Sequence, residues 1–299
     1  IIMVGMLLDD AAVTSADGGR NPAWDSISDQ LKVMLHQEVH YYPPSIGRQS
    51  QIFDEASSRR GREGDDENYC CCITWSEAEM IRRKMTEWAH AVVDAFEYNR
   101  DVVAVCLNLV DRYVSAILEE GVVPLKRKSY QGIFVVGLYV ALKLQGSSRA
   151  DDVVSSARGG RPPSPTAVVN ISVFANLSRG MLTVKRLEAE ERNMMSRLTY
   201  RLNAPVFGTY IEYFILFLIK SNALQINPCL QVDSITTDAM HFIFEVARYL
   251  TELATFNVNL TTKCRPSCVA AASILHALDY LRQRVGCTTI PQSISTAFE

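Results

Sequence analysis

Along most of the chain, apolar residues recur at helical rather than strand spacing, and polar or turn-forming stretches separate the periodic runs. The first run is short. Leu31, Met34, Leu35 and Val39 lie between the cap candidate Asp29 and the stop Pro43-Pro44, after a turn-rich stretch at 9–26 that carries Gly18-Gly19 and Asn21-Pro22 and reads as loose. Residues 45–69 are polar and charged, with Arg59-Arg60-Gly61-Arg62 among them, and read as a solvated linker. Thr74-x-x-Glu77 is a capping box that opens the next helix. Over 101–118, Val102, Val105, Cys106, Leu109, Val110, Tyr113 and Ile117 form one apolar stripe. The run at 129–144 is apolar nearly all round, as a central helix enclosed by others must be. Residues 146–165 are rich in Ser, Gly, Pro and Arg and predict an exposed insertion. Helical periodicity resumes at 182–198, then at 207–219, 233–253 and 266–284, so the predicted class is all-α.

At 299 residues, 48% of them hydrophobic and 21% charged, the chain is long enough to bury one or two cores. A net charge of -3 and a pI near 6.0 provide no global basic field, which argues against non-specific nucleic-acid binding. The eight cysteines are scattered rather than regularly spaced, which favours a reducing compartment. The longest lipid-like stretch, 213–219, is far short of the roughly 20 residues that span a bilayer. The apolar opening Ile1 to Leu8 lacks a basic segment and runs into Asp9-Asp10, so it reads as a frayed or truncated start.

Candidate chemistry is sparse. His36 and His40 stand one helical turn apart, but without the adjacent glutamate of H-E-x-x-H or a distant third ligand, so no metal site is predicted. Cys70-Cys71-Cys72 has no C-x-x-C partner, and Cys264 with Cys268 in an Ala-rich segment reads as a pair of small buried hydrophobes. No nucleophile elbow, phosphate-cradling loop or kinase motif set is present, so no catalytic residue and no cofactor is assigned. Ser164-Pro165 fits a proline-directed kinase only minimally, and the sequons at Asn170, Asn176 and Asn259 lack a secretory context.

Six segments carry a resemblance. In the run Ile81 to Trp88, Arg82 and Trp88 match the arginine and tryptophan of the cyclin first-helix motif. Leu107-Asn108-Leu109-Val110-Asp111-Arg112-Tyr113-Val114-Ser115 is similar to the N-Y-L-D-R-F-L-S stretch of the family. Gln131 to Lys143 resembles the third helix, Glu191 to Pro205 the fifth helix and its exit, and Pro266-Ser267 through Ala270-Ala271 the Pro-Ser-x-x-Ala-Ala signature of the second repeat. Met34-Leu35-His36-Gln37-Glu38 resembles the helix that precedes the box in G1-type cyclins. The spacing between Lys143 and Glu191 departs from the family by roughly twenty extra residues, which is the insertion.

The resemblance implies an all-α protein of two cyclin-like helical repeats: an N-terminal extension at 1–72 with one short helix and a polar linker, a cyclin box at 73–205 with an insertion at about 146–166, and a C-terminal repeat at 206–299. The family usually adds further helices after the point where this chain stops, so the second repeat is expected to be incomplete. It implies a regulatory subunit of a cyclin-dependent kinase, not an enzyme, acting in cell-cycle control in the nucleus or cytoplasm, without direct contact to nucleic acid or membrane. Kinase substrates or inhibitors are further expected partners. Lys143 and Glu191 would grip the kinase, and Arg82 with Asp111 would form a buried structural salt bridge. Ile81, Met85, Trp88 and Gln131 fall where some cyclins dock Arg-x-Leu peptides. Here Lys84 replaces an apolar groove residue and Gly132 stands where the family usually has leucine, so such a groove is expected to be weak or differently selective. Two alternatives stay open. A cyclin-fold transcription module would want a zinc ribbon and a basic face, neither of which is visible; a kinase-free scaffold fits the insertion and the short C-terminal repeat.

Overall fold

The structure, a computed structural model, describes residues 22–42, 49–51, 53, 73–120, 125–145, 170–220 and 233–285. The helices are, in chain order, α1 (Pro22–Tyr41), α2 (Trp75–Ala95), α3 (Asp101–Glu119), α4 (Arg127–Gln145), α5 (Ile171–Leu177), α6 (Val184–Arg197), α7 (Phe207–Lys220), α8 (Asp233–Ala254), α9 (Val258–Thr262) and α10 (Pro266–Val285). No strand occurs among the described residues, and the protein is all-α. The insertion at 146–166, the arginines of the linker and Cys70 to Cys72 lie outside the described residues.

The chain divides into two compact units, one of residues 41–204 with 255–263, the other of 1–40, 205–254 and 264–299. In the first unit, α2 opens on the capping box: Thr74 Oγ1 accepts from the Glu77 N–H at 3.3 Å, and Glu77 Oε2 accepts from the Thr74 N–H at 2.8 Å. That exchange satisfies two amides that the first turn of a helix cannot pair by itself. Asn170, Thr183 and Asn257 cap α5, α6 and α9 through their side-chain oxygens in the same way.

Helix α3 differs from the one-sided stripe that its periodicity predicts, because its polar residues are buried as well as its apolar ones. Each finds a partner distant in sequence. Asn108 Nδ2 donates to the Tyr41 carbonyl at 2.9 Å, Arg112 Nη1 to the Arg201 carbonyl at 2.7 Å, and Ser115 Oγ accepts from Gln49 Nε2 at 2.9 Å. Asn108 Oδ1 is the exception, buried with no hydrogen-bond partner among the described residues. Helix α4 packs on α3 so closely that a Cβ on Gly137 would lie 2.7 Å from Val110 Cγ2. At the exit of α6, Thr199 (φ 51°) and Tyr200 (φ 57°) adopt left-handed backbone while the Tyr200 N–H donates to the Met195 carbonyl at 2.9 Å, closing the helix as a Schellman-type turn.

The reading of 45–69 as a solvated linker needs correction at its start. Residues 49–51 are helical, and Gln49 and Phe53 are buried rather than part of a solvated linker. Besides Ser115, the Gln49 amide donates to the Asp111 carbonyl at 2.7 Å, and the Phe53 ring lies 5.7 Å from the Trp75 ring. A polar surrounding sequence hides such anchors, because burial there depends on a few residues and not on periodicity.

In the second unit, α1 is part of the core. Ile27, Leu31 and Met34 pack with Tyr210, Phe214 and Leu218 of α7, Ile243 of α8, and Ala270 and Ile274 of α10. Leu31 is fully enclosed, so that truncation to Ala would cost about 2–5 kcal/mol. The helix begins at Pro22, inside the stretch read as loose, because proline suits the first helical position, where its missing N–H is not needed. Pro266 opens α10 likewise, and the carboxylate of Glu38 caps it, accepting from the Ser267 N–H and the Ser267 hydroxyl, each at 2.8 Å. Tyr210 adds a hydroxyl donated to the Met34 carbonyl at 3.0 Å. Cys264 and Cys268 are exposed, which corrects the reading of both as buried: Cys264 lies in the connection before Pro266, and Cys268 falls on the outward side of α10, opposite Ala270.

Candidate functional site

Arg82 stands on the buried face of α2 with Ala78, Ala89 and Val93. A lone cation there would be costly, and its partner is Asp111 of α3. Arg82 Nε donates to Asp111 Oδ1 at 3.1 Å and Nη2 to Oδ2 at 2.8 Å, with side-chain exposures of 3% and 4%. Nη1 and Nη2 also donate to the Thr255 carbonyl (3.3 Å) and to Thr261 Oγ1 (2.9 Å). Burial pulls the guanidinium pKa down, but the charge and hydrogen bonds of Asp111 outweigh it and hold the pKa above its ordinary value. The cluster fixes α2, α3 and the segment 255–263 to one another.

Lys143 and Glu191 meet at the surface of the same unit. Glu191 shares a helical face with Leu187 and Met194, which anchor α6 in the core, while Lys143 ends the apolar run of α4. Lys143 Nζ donates to Glu191 Oε1 at 2.5 Å and lies 5.2 Å from the centre of the Tyr139 ring. The lysine side chain is 46% exposed and the glutamate 9%. The hydrogen bond to Glu191 raises the Lys143 pKa, so the ammonium is firmly charged.

Of the residues expected at a docking patch, Met85, Trp88 and Gln131 line an open groove of about 1260 Å³, together with Ile133, Leu182 and Met194. Ile81 does not line it and is buried, since the 81/85/88 stripe of α2 is covered at its first member and opens only at the other two. Lys84 is exposed and also outside the lining. A Cβ on Gly132 would meet Leu182 at an ordinary 3.7 Å, so the wall has room for a small side chain there. Sequence reasoning missed the rim of this groove, where Lys126, Arg127, Lys128, Arg179 and Arg186 collect. The run at 126–128 was the available signal.

His36 and His40 are exposed, with ring centroids 5.5 Å apart edge to face, and no group of metal-ligating side chains occurs among the described residues. No helix among them is long and apolar enough to cross a membrane.

Most of this helical unit, with its buried Arg82–Asp111 pair, falls in a segment that matches a known family: residues 51–203 match the cyclin N-terminal domain. The chain belongs to the cyclin family. No curated protein matches it. Among solved structures, it is similar to a viral cyclin from herpesvirus saimiri, at 15% identity and a TM-score of 0.43 over 83% of this chain and 95% of that one. It is also similar to a chain in the structure of the CAK complex from Chaetomium thermophilum bound to ATP-gamma-S, at 11% identity and a TM-score of 0.45 over 97% of this chain and 77% of that one.

Proposed function

We propose that the chain is the regulatory subunit of a cyclin-dependent serine/threonine kinase, which it binds and activates in cell-cycle control, in the nucleus or cytoplasm. Family membership supports a regulatory rather than catalytic protein. The observation that carries the kinase reading is the meeting of Lys143 and Glu191 at one point of the cyclin-box surface, on two helices held by the core beneath them. Lysine has three donors and glutamate two acceptor oxygens, so a pair joined by one hydrogen bond keeps capacity for a partner's backbone carbonyl and N–H. A rigid surface of this kind holds the kinase C-helix inward, where its glutamate completes the Lys–Glu ion pair that positions the ATP phosphates. No cofactor is required on this subunit.

The test is affinity capture with the tagged full chain, followed by mass spectrometry of the co-purifying proteins and an assay of captured kinase activity. Enrichment of a cyclin-dependent kinase with histone-phosphorylating activity is the expected result. Recovery of transcription factors and no kinase would contradict it.

A further inference from the structure

We propose that Tyr139 is a positioning residue, whose ring holds the Lys143 ammonium in one place beside Glu191 so that the pair meets a partner in a fixed arrangement. Lys143 lies one helical turn beyond Tyr139 on α4, and its Nζ is 5.2 Å from the centre of that ring. A cation within about 6 Å of an aromatic centroid is attracted by the ring quadrupole. An aliphatic side chain of similar size would fill the same space without that attraction.

One hydrogen bond does not fix a lysine. The Lys143 side chain is half exposed on a flexible four-carbon stem, and its bond to Glu191 Oε1 alone would let the ammonium pivot about that oxygen. The Tyr139 ring supplies the second point of attachment. That platform is itself held. Tyr139 is buried, and its ring meets the ring of Phe174 on α5 at 5.3 Å between centroids and 54° between planes. Phe174 is buried in turn, and Asn170 caps the helix that carries it. Three elements therefore converge on the ammonium: α4 provides the lysine and the ring, α5 backs the ring, and α6 carries the carboxylate.

The expected effect on the kinase rests on the function proposed for Lys143, whereas the ring contact does not, and the experiment reads the two separately. The full chain, labelled with carbon-13 at the lysine ε-carbons, would be prepared unmodified and as Tyr139→Phe, Tyr139→Leu, Tyr139→Met and Lys143→Ala, with matched CD spectra. Lys143→Ala identifies the Lys143 signal by its loss. In NMR of the chain alone, the Lys143 ε-protons should be shifted upfield by the ring current, a shift kept in Tyr139→Phe and lost in Tyr139→Leu and Tyr139→Met. The chain concentration that half-activates the captured kinase should rise about two- to fivefold in the Leu and Met variants, the range of an exposed cation–π contact, and stay unchanged in Tyr139→Phe. Tyr139→Leu should add nothing in a Lys143→Ala background, as a merely structural ring would not predict. An unshifted Lys143 signal in the unmodified chain, a shift that survives Tyr139→Leu, a Phe variant as impaired as the Leu variant, or an additive effect in the double variant would each overturn the proposal. The expected shifts beside kinase activation indifferent to Lys143→Ala would support the role of the ring and contradict the kinase reading.

Discussion

Arg82 and Asp111, 29 positions apart, form a two-pronged ion pair in the core of the cyclin box, and the same guanidinium reaches the Thr255 carbonyl and the Thr261 hydroxyl. The arginine thus satisfies acceptors on three parts of one unit at once. Removing its carboxylate leaves a buried cation with only neutral acceptors.

Asp111→Ala should therefore destabilise the protein by about 3–5 kcal/mol, the usual cost of stranding a buried charge. Urea unfolding of the variant beside the unmodified chain measures it. A midpoint within experimental error of the original would show that the pair contributes nothing to the fold.

Gly137 tests the packing of α3 on α4. Val110 is buried and β-branched, so its Cγ2 has no easy rotamer escape from a new Cβ at 2.7 Å. Gly137→Leu should cost about 1–3 kcal/mol or more through overpacking, while Gly132→Ala, with 3.7 Å to its nearest neighbour, should be neutral or slightly stabilising. Equal melting temperatures for the two variants would contradict the close approach.

Glu38 predicts a pH dependence. Burial raises its pKa above the ordinary 4.5, against the lowering influence of the Ser267 hydrogen bonds and of Arg265. The folded state therefore holds the proton more tightly than the unfolded chain does. Its contribution to stability is greatest below about pH 4.5 and is lost as the pH rises through the raised value. Glu38→Gln keeps an acceptor for Ser267 and removes the titration, so its stability relative to the unmodified protein should increase from acid to neutral pH. Parallel pH profiles for the two proteins would rule this out.

Much of the fold was legible because helix signals are local. The box Thr74-x-x-Glu77 places the start of α2, and apolar periodicity places α3, α4, α6, α7, α8 and α10 to within a few residues. What escaped is long-range. Apart from Asp111, which the resemblance paired with Arg82, the polar side of α3 looks like a solvent face until Gln49 and Arg201 are brought to it across separations of 66 and 89 residues. Glu38 reads as an ordinary surface carboxylate until Ser267 arrives from 229 positions away. The groove rim joins cations from the start of α4, the α5–α6 connection and α6, and no spacing rule links those segments. At Lys143 and Glu191 the sequence offered only two common charged residues, and their juxtaposition depends on how α4 and α6 pack.

The central claim is most directly tested at that pair. Because its lysine is half exposed, the pair contributes about 1 kcal/mol to folding, so Lys143→Ala with Glu191→Ala should leave the structure intact while removing the contact, which matched CD spectra check. The measurement is the histone-phosphorylating activity of the captured kinase, reconstituted with purified unmodified chain or with the double variant at matched CD spectra. The unmodified chain should activate the kinase and the variant should lose most of that activation. Full activation by the variant would contradict it.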